Sequence, residues 1–69
     1  MTLIELANTI TMQGDIRISL WKDDEETKVK TYTMTDDLSC MNIPKWAEDK
    51  EVNYVFCGGD GYLHIELKA

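Results

Sequence analysis

The chain of 69 residues is poor in the residue types on which many enzymes and metal sites depend. It has one histidine, His64, which excludes any site that needs two imidazoles and removes most hydrolytic arrangements. Its two cysteines, Cys40 and Cys57, do not form the close Cys-x-x-Cys pair that is typical of structural zinc sites. We therefore expect no metal ion and no cofactor. In a reducing compartment both thiols should be free and mostly buried, with a disulfide between them as the alternative.

Long apolar runs are also missing. No segment approaches the roughly 20 apolar residues of a membrane-spanning helix. The opening residues Met1–Glu5 have neither the basic region nor the apolar run of a signal peptide. The sequence therefore predicts a cytoplasmic protein that does not enter a membrane.

Basic residues are scarce relative to acidic ones. Seven Lys and Arg stand against thirteen Asp and Glu, which gives a net charge of −6. This charge repels phosphate backbones, and the basic residues do not cluster along the chain, so nucleic-acid binding is disfavoured. The acidity is interpreted first as a determinant of solubility.

The residues that are present predict one small α+β domain over residues 1–69. Apolar residues make up 43% of the chain and charged residues 29%, which is typical of a globular protein. Thr2 and Glu5 form a capping box, and Leu3, Leu6, Ala7 and Ile10 follow at helical spacing. We predict a short helix that ends near Met12, with Gly14 as the stop, and that packs on a sheet.

Two segments in the first half alternate as strands. Asp15–Trp21 places Ile16, Ile18 and Leu20 on one face, and Thr27–Met34 is rich in β-branched and aromatic residues. The acidic run Lys22–Glu26 is predicted to be the loop of this hairpin. The second strand shows no clearly buried side, which favours an edge strand guarded by lysines.

A second hairpin is predicted at the end of the chain, where Glu51–Cys57 and Tyr62–Lys68 flank the turn cluster Gly58–Gly61. Either two-residue turn, Gly59-Asp60 or Asp60-Gly61, places the apolar residues of both strands on one face. These residues are Val52, Tyr54 and Phe56 on the first strand and Leu63, Ile65 and Leu67 on the second. A three-residue loop would separate the two apolar sets, so we expect an even loop.

Residues Thr35–Lys50 connect the two hairpins, and Pro44 can begin a single helical turn there. The predicted architecture is thus an N-terminal helix on a four-stranded, mainly antiparallel sheet of two hairpins, with a short helical turn in the crossover.

Candidate catalytic groups are few, and each has a simpler interpretation. Cys57 and His64 would be cross-strand neighbours on the outer face if Asp60-Gly61 is the turn, and could in principle activate a thiolate. The pairs of carboxylates fall in polar connections, where ionised and solvated side chains are expected. The Gly58–Gly61 cluster lacks the lysine and the following helix of a phosphate loop. We predict no catalytic residue.

The outer face of the sheet is the most informative candidate site. Aromatic and arginine side chains are the types that anchor protein interfaces. The candidate interface residues are Arg17, Trp21, Tyr32, Val55 and His64. The competing interpretation is that the Pro44–Glu48 segment folds over this face and buries Trp21.

Four segments carry a resemblance along the whole chain: Leu3-Ile4-Glu5-Leu6, Ile16-Arg17-Ile18, Ile43-Pro44-x-Trp46 and Asp60-Gly61-Tyr62-Leu63-x-Ile65-Glu66-Leu67. The chain resembles small uncharacterised proteins of phages and integrated elements in Gram-positive gut bacteria. The resemblance implies a bacterial or prophage accessory protein, and it implies no site residues.

The functional hypothesis is a non-enzymatic module that binds another protein or a second copy of itself, through the outer face or the edge strand near Thr27–Met34. One alternative is an acidic phage counter-defence inhibitor that occupies a nucleic-acid-binding protein. That inhibitor would need its acidic groups, Asp23–Glu26, Asp36, Asp37 and Glu48–Glu51, on one continuous surface. The second alternative is a small enzyme with Cys57 and His64 within hydrogen-bond reach in a cleft.

Overall fold

The structure is a computed structural model that describes residues Met1–Ala69. Its first element is a short capped helix, α1, over Leu3–Thr9. The predicted capping box is present, because the backbone N–H of Thr2 donates to Glu5 Oε1 at 2.8 Å and that of Glu5 donates to Thr2 Oγ1 at 3.3 Å. The helix ends earlier than predicted, because Ile10 is already extended. No helix of the structure has the length and apolarity needed to cross a membrane.

The residues that were expected to end the helix form a strand instead. Strand β1, Met12–Gln13, pairs antiparallel with β4, Asp37–Leu38, in a separate two-stranded sheet. Leu38 is fully buried in this position. The small sheet therefore ties the connection after the helix to the start of the crossover.

Strands β2, Ile16–Lys22, and β3, Glu25–Tyr32, form the first predicted hairpin. Lys22 pairs with Glu25, so only Asp23 and Asp24 form the turn. Both have positive φ, 51° and 65°, as a two-residue type I′ turn requires. The loop is therefore shorter than the predicted Lys22–Glu26, because Glu25 and Glu26 belong to β3.

The crossover after β4 contains turns, and the predicted helical turn at Pro44 does not become a helix. The N–H of Ala47 donates to the Pro44 carbonyl, and the N–H of Lys50 donates to the Ala47 carbonyl. Ala47 is fully buried, and Trp46 packs against the core. The crossover carbonyls of Glu48 and Lys50 accept the N–H groups of Ile4 and Leu3, which satisfies the first turn of α1.

The second hairpin joins β5, Glu51–Cys57, to β6, Leu63–Lys68. The four long strands have the order β3-β2-β6-β5. The two outer pairs are antiparallel, as predicted, whereas the central pair of β2 and β6 is parallel. The fold is thus α+β, with a mixed four-stranded sheet in place of a single mainly antiparallel one.

The register of the second hairpin corrects the prediction of an even turn. Gly58 N–H donates to the Tyr62 carbonyl at 2.9 Å, which leaves the three-residue loop Gly59–Gly61. Gly61 has a φ of 86°, the left-handed conformation that such loops place at glycine. The odd loop puts Tyr54 opposite Glu66 and Phe56 opposite His64. Tyr54 and Phe56 therefore lie on the face opposite to Ile65, contrary to the prediction.

A β-bulge at Asn53 compensates for this shift at the other end of β5. The register changes between Val52 and Tyr54, so that Val52 again lies opposite Leu67, on the side of the core. Val55 and Cys57 share that side, opposite Ile65 and Leu63, although they were predicted on the outer face.

The core lies between one face of the four-stranded sheet and a layer made of α1 and the crossover. We call this the inner face and the opposite side of the sheet the outer face. The buried apolar side chains of the core are Leu3, Ala7, Ile16, Ile18, Leu20, Tyr32, Leu38, Ala47, Ile65 and Leu67. Because α1 and the crossover both cover the inner face, the outer face has no covering layer.

Candidate functional site

The outer face presents three rows of side chains that run across the strands. In the row nearest the β5–β6 loop, Thr31, Arg17, His64 and Phe56 are successive neighbours. The middle row contains Val29, Ser19, Glu66 and Tyr54. At the far end, Trp21 lies between Glu26 and Lys68. The face is therefore rich in aromatic groups.

His64 is the centre of an aromatic cluster in the first row. Its ring stacks on Phe56 with 4.9 Å between centroids and 3° between planes, and it meets Tyr62 edge-on at 6.5 Å. Its Nε2 lies 3.0 Å from Asp60 Oδ1. This hydrogen bond, together with one from the backbone N–H of Tyr62, holds the pKa of Asp60 below its usual value. The imidazole is thereby fixed in the face of the sheet.

Trp21 covers the polar centre of the outer face. Ser19 is wholly buried although it points away from the core. The indole Nε1–H of Trp21 donates to Ser19 Oγ at 3.0 Å, so the Trp21 ring lies over the middle row. This hydrogen bond satisfies the buried hydroxyl and sets the position of the indole.

Arg17 and Glu26 form a two-pronged ion pair on the same face. Arg17 Nη2 donates to Glu26 Oε1 at 2.6 Å, and Nη1 donates to Oε2 at 3.0 Å. The hydrogen bond to Glu26 raises the pKa of the Arg17 guanidinium above its ordinary value. Both side chains remain more than a quarter exposed, so we regard the pair as a positioning contact that contributes little stability.

A cavity of about 450 Å³ opens at the Trp21 end of the outer face. It is lined by Trp21, Asp23, Asp24, Asn53, Tyr54, Glu66 and Lys68. These residues come from the β2–β3 turn and from three neighbouring strands, which shows that the cavity depends on the folded sheet.

The structure brings together three of the five predicted interface residues. Arg17, Trp21 and His64 lie on the outer face. Tyr32 does not, because it pairs with Ile16 on the inner face and is 2% exposed. Val55 lies opposite Ile65 on the inner side of the edge strand and is 50% exposed. It can extend the site only along the edge of the sheet.

Sequence reasoning missed two aromatic residues of this face, Tyr54 and Phe56. They were assigned to the core because they alternate with Val52, and the bulge at Asn53 breaks that alternation. The only signal in the sequence was the four-residue turn cluster, which allows an odd loop as well as an even one.

The Cys57–His64 pair that the enzyme alternative requires is not formed. Cys57 lies opposite Leu63 on the inner side, whereas His64 lies on the outer face with Asp60 as its hydrogen-bond partner. Cys40 and Cys57 are free, and both are exposed rather than mostly buried. No group of three or more His, Cys, Asp and Glu side chains converges in a way that could hold a metal ion.

The acidic groups are divided between the two ends of the sheet. Asp23 and Asp24 form the turn at the Trp21 end, where Glu51 pairs with Lys68. Asp36 and Asp37 follow Tyr32 at the opposite end, where Ile16 pairs with Leu63. The continuous acidic surface required by the inhibitor hypothesis is therefore not formed by these groups together.

No protein-family model, no curated protein and no solved structure matches the chain significantly.

Proposed function

We propose that the chain is a non-enzymatic accessory module, of bacterial or phage origin, that binds another protein through its outer face. The observation that carries the proposal is the uncovered aromatic surface around His64 and Trp21. Tyr54 and Phe56 are 61% and 43% exposed there. Large aromatic side chains that are held in place lose little conformational freedom on binding and are frequent anchors of protein interfaces.

The edge strand β5 extends this surface. No charged residue lies between Val52 and Cys57, and Val55 is half exposed. The opposite edge strand, β3, carries Lys28 and Lys30, which discourage pairing with another strand. Beyond Val52, whose N–H already donates to the Met1 carbonyl, an extended segment of a partner is thus better accommodated at β5 than at the β3 edge near Thr27–Met34.

The exposed thiols support a cytoplasmic location. Cys40 and Cys57 are both free and solvent-exposed. Such thiols persist in a reducing compartment, whereas an oxidising one favours disulfides.

Affinity capture with matched variants tests the proposal. The immobilised chain is compared with Tyr54→Ser and Phe56→Ser, and Met41→Ser serves as a control because Met41 is 92% exposed on the crossover. We expect a partner that binds the wild type and the control but is reduced at least tenfold by each outer-face variant. Light scattering shows whether this partner is a second copy. Equal capture by all four proteins, together with a monomeric wild type, would contradict the proposal.

A further inference from the structure

The cavity at the Trp21 end combines aromatic walls with negative charge. Three carboxylates line it, from Asp23, Asp24 and Glu66, together with one ammonium group, from Lys68. Its volume of about 450 Å³ lies within the range of specific binding pockets. A site of this composition attracts a cation that has both charge and apolar or planar surface.

We propose that this cavity binds an arginine side chain of a basic protein partner. The inference rests on the proposed binding function and names the chemistry of its partner. It concerns the end of the outer face that lies opposite the His64 cluster.

The carboxylates of the cavity form no ion pair within the chain. Its ion pairs join Met1 to Glu51, Arg17 to Glu26 and His64 to Asp60. None of the cavity carboxylates therefore has a basic group within the ion-pair distance of 4.0 Å. With Lys68 included, the lining keeps a net charge of −2. A cationic occupant complements this charge, and an anionic one does not.

The two aromatic residues of the cavity suit a planar cation. Trp21 and Tyr54 lie on the two strands that flank β6, in neighbouring rows of the outer face, and both line the cavity. The hydrogen bond to Ser19 draws the indole over the middle row, which also contains Tyr54. A cation in the cavity is attracted to the faces of the aromatic rings that line it. A guanidinium also stacks on aromatic faces, which an ammonium group does not do.

The separation of the carboxylates favours an organic cation over a metal ion. No three carboxylate, imidazole or thiol groups converge anywhere in the structure. Calcium needs several oxygen ligands at about 2.3 to 2.6 Å, which separated side chains cannot supply. The five N–H donors of a guanidinium point outward in a plane and can reach carboxylates on different sides.

Nuclear magnetic resonance titration of the whole chain tests the inference with N-acetyl-arginine amide as the probe. N-acetyl-citrulline amide is the matched control, because it has nearly the same shape and no charge. We expect the Trp21 indole N–H and the amides of Glu66 and Lys68 to shift saturably with arginine and at least fivefold less with citrulline. N-acetyl-lysine amide should bind more weakly than arginine, because it cannot stack.

Two variants should change the affinity for arginine in opposite directions. Glu66→Gln should weaken it at least threefold, and Lys68→Gln should tighten it by a similar factor, because each removes one charge of the lining. Asp15→Asn is the control, since Asp15 is exposed at the far end of the sheet. Asp23→Asn replaces Glu66→Gln if that variant does not fold.

Equal shifts with arginine and citrulline, no shift with either, or tighter binding by Glu66→Gln would overturn the inference. The capture experiment with Tyr54→Ser and Phe56→Ser remains decisive for the proposed function in each of these cases. The two proposals can therefore fail separately.

Discussion

Gly58 lies beneath the imidazole of His64, and its lack of a side chain leaves the space that the ring occupies. A Cβ atom at this position would lie 2.6 Å from His64 Nε2 and 2.7 Å from Asp60 Oδ1. The ring also stacks on Phe56. A glycine in the loop therefore determines the geometry of an aromatic cluster on the face of the sheet.

We expect Gly58→Ala to displace His64 and to lower the free energy of unfolding by about 1 to 3 kcal/mol, because the new methyl group overpacks the site. Gly59→Ala is the control in the same loop, since nothing lies within 4 Å of its Cβ position. Urea unfolding measures the stabilities, and the ring resonances of His64 report its position. Equal behaviour of the two variants would show that His64 does not occupy this space in solution.

Tyr32 is fixed by a different contact, which explains why it is absent from the outer face. Its ring is buried against the core, and its hydroxyl donates to the Asn42 carbonyl at 2.7 Å. Burial, with a smaller contribution from Asp36, raises the pKa of the Tyr32 hydroxyl. One side chain thereby joins the edge strand β3 to the crossover.

Tyr32→Phe should lower the free energy of unfolding by about 1 kcal/mol at pH 7, because the hydrogen bond to Asn42 is lost. The raised pKa means that the folded state binds the Tyr32 proton more tightly than the unfolded state does. The wild type should therefore lose stability as the pH rises through about 10, the unfolded value, and the difference from the variant should shrink there. Urea titrations at pH 7 and pH 10.5 measure both effects, and Tyr54→Phe, at an exposed ring, is the control that should keep the stability of the wild type at pH 7.

At the scale of elements, local signals predicted the helix cap and the first hairpin. Thr2 and Glu5 lie within one turn of each other, and the alternation of β2 is continuous from Ile16 to Trp21. The prediction of which β5 side chains face the core was wrong, because the odd loop and the bulge at Asn53 are two one-residue irregularities at opposite ends of this strand. Both irregularities depend on how β5 pairs with β6, so the alternation of residues within β5 does not predict them.

The turn of the first hairpin contains a strained backbone conformation that a substitution can relieve. Asp24 adopts a φ of 65°, which an L-residue with a side chain occupies at a cost. Asp24→Gly should raise the free energy of unfolding by about 0.5 to 1 kcal/mol. Glu25→Gly, one position later within β3, should lower it by a similar amount. Thermal unfolding compares the two, and a loss of stability in both would argue against the type I′ turn.

At the scale of the molecule, the sequence placed Arg17 and Trp21 on one side of β2, as the structure does, but it did not predict the boundary of the candidate site. Arg17 and Trp21 follow from alternation within one strand. The cavity beside Trp21 could not be predicted, because it requires β6 to lie next to β2, and no pattern in the sequence specifies this parallel pair. The site is a property of the assembled sheet.

The net charge of −6 should make stability depend on salt. The molecule measures 32 × 27 × 16 Å, so most pairs of charges lie within the Debye length of about 30 Å at 10 mM ionic strength. Raising the salt to 150 mM should screen their mutual repulsion and increase the free energy of unfolding by about 0.5 to 1 kcal/mol. Chemical unfolding in urea, which adds no ions, measures this. The increase in the free energy of unfolding with salt should be smaller in Asp49→Asn. A free energy of unfolding that falls with salt would mean that attractive ion pairs dominate.

The parallel pair at the centre of the sheet also governs how the chain folds. Ile16 pairs with Leu63, so β2 and β6 meet only after about two thirds of the chain has been brought into a loop. Such a topology has a high contact order, which slows folding because the entropy of loop closure is lost before the contacts form. On a ribosome, the second hairpin could not form, and the first would lack its central neighbour, until β6 had emerged from the exit tunnel. A stop codon before Leu63 would therefore remove the central neighbour of both β2 and β5, and it would release a chain that exposes two unpaired strand edges in place of a smaller folded protein.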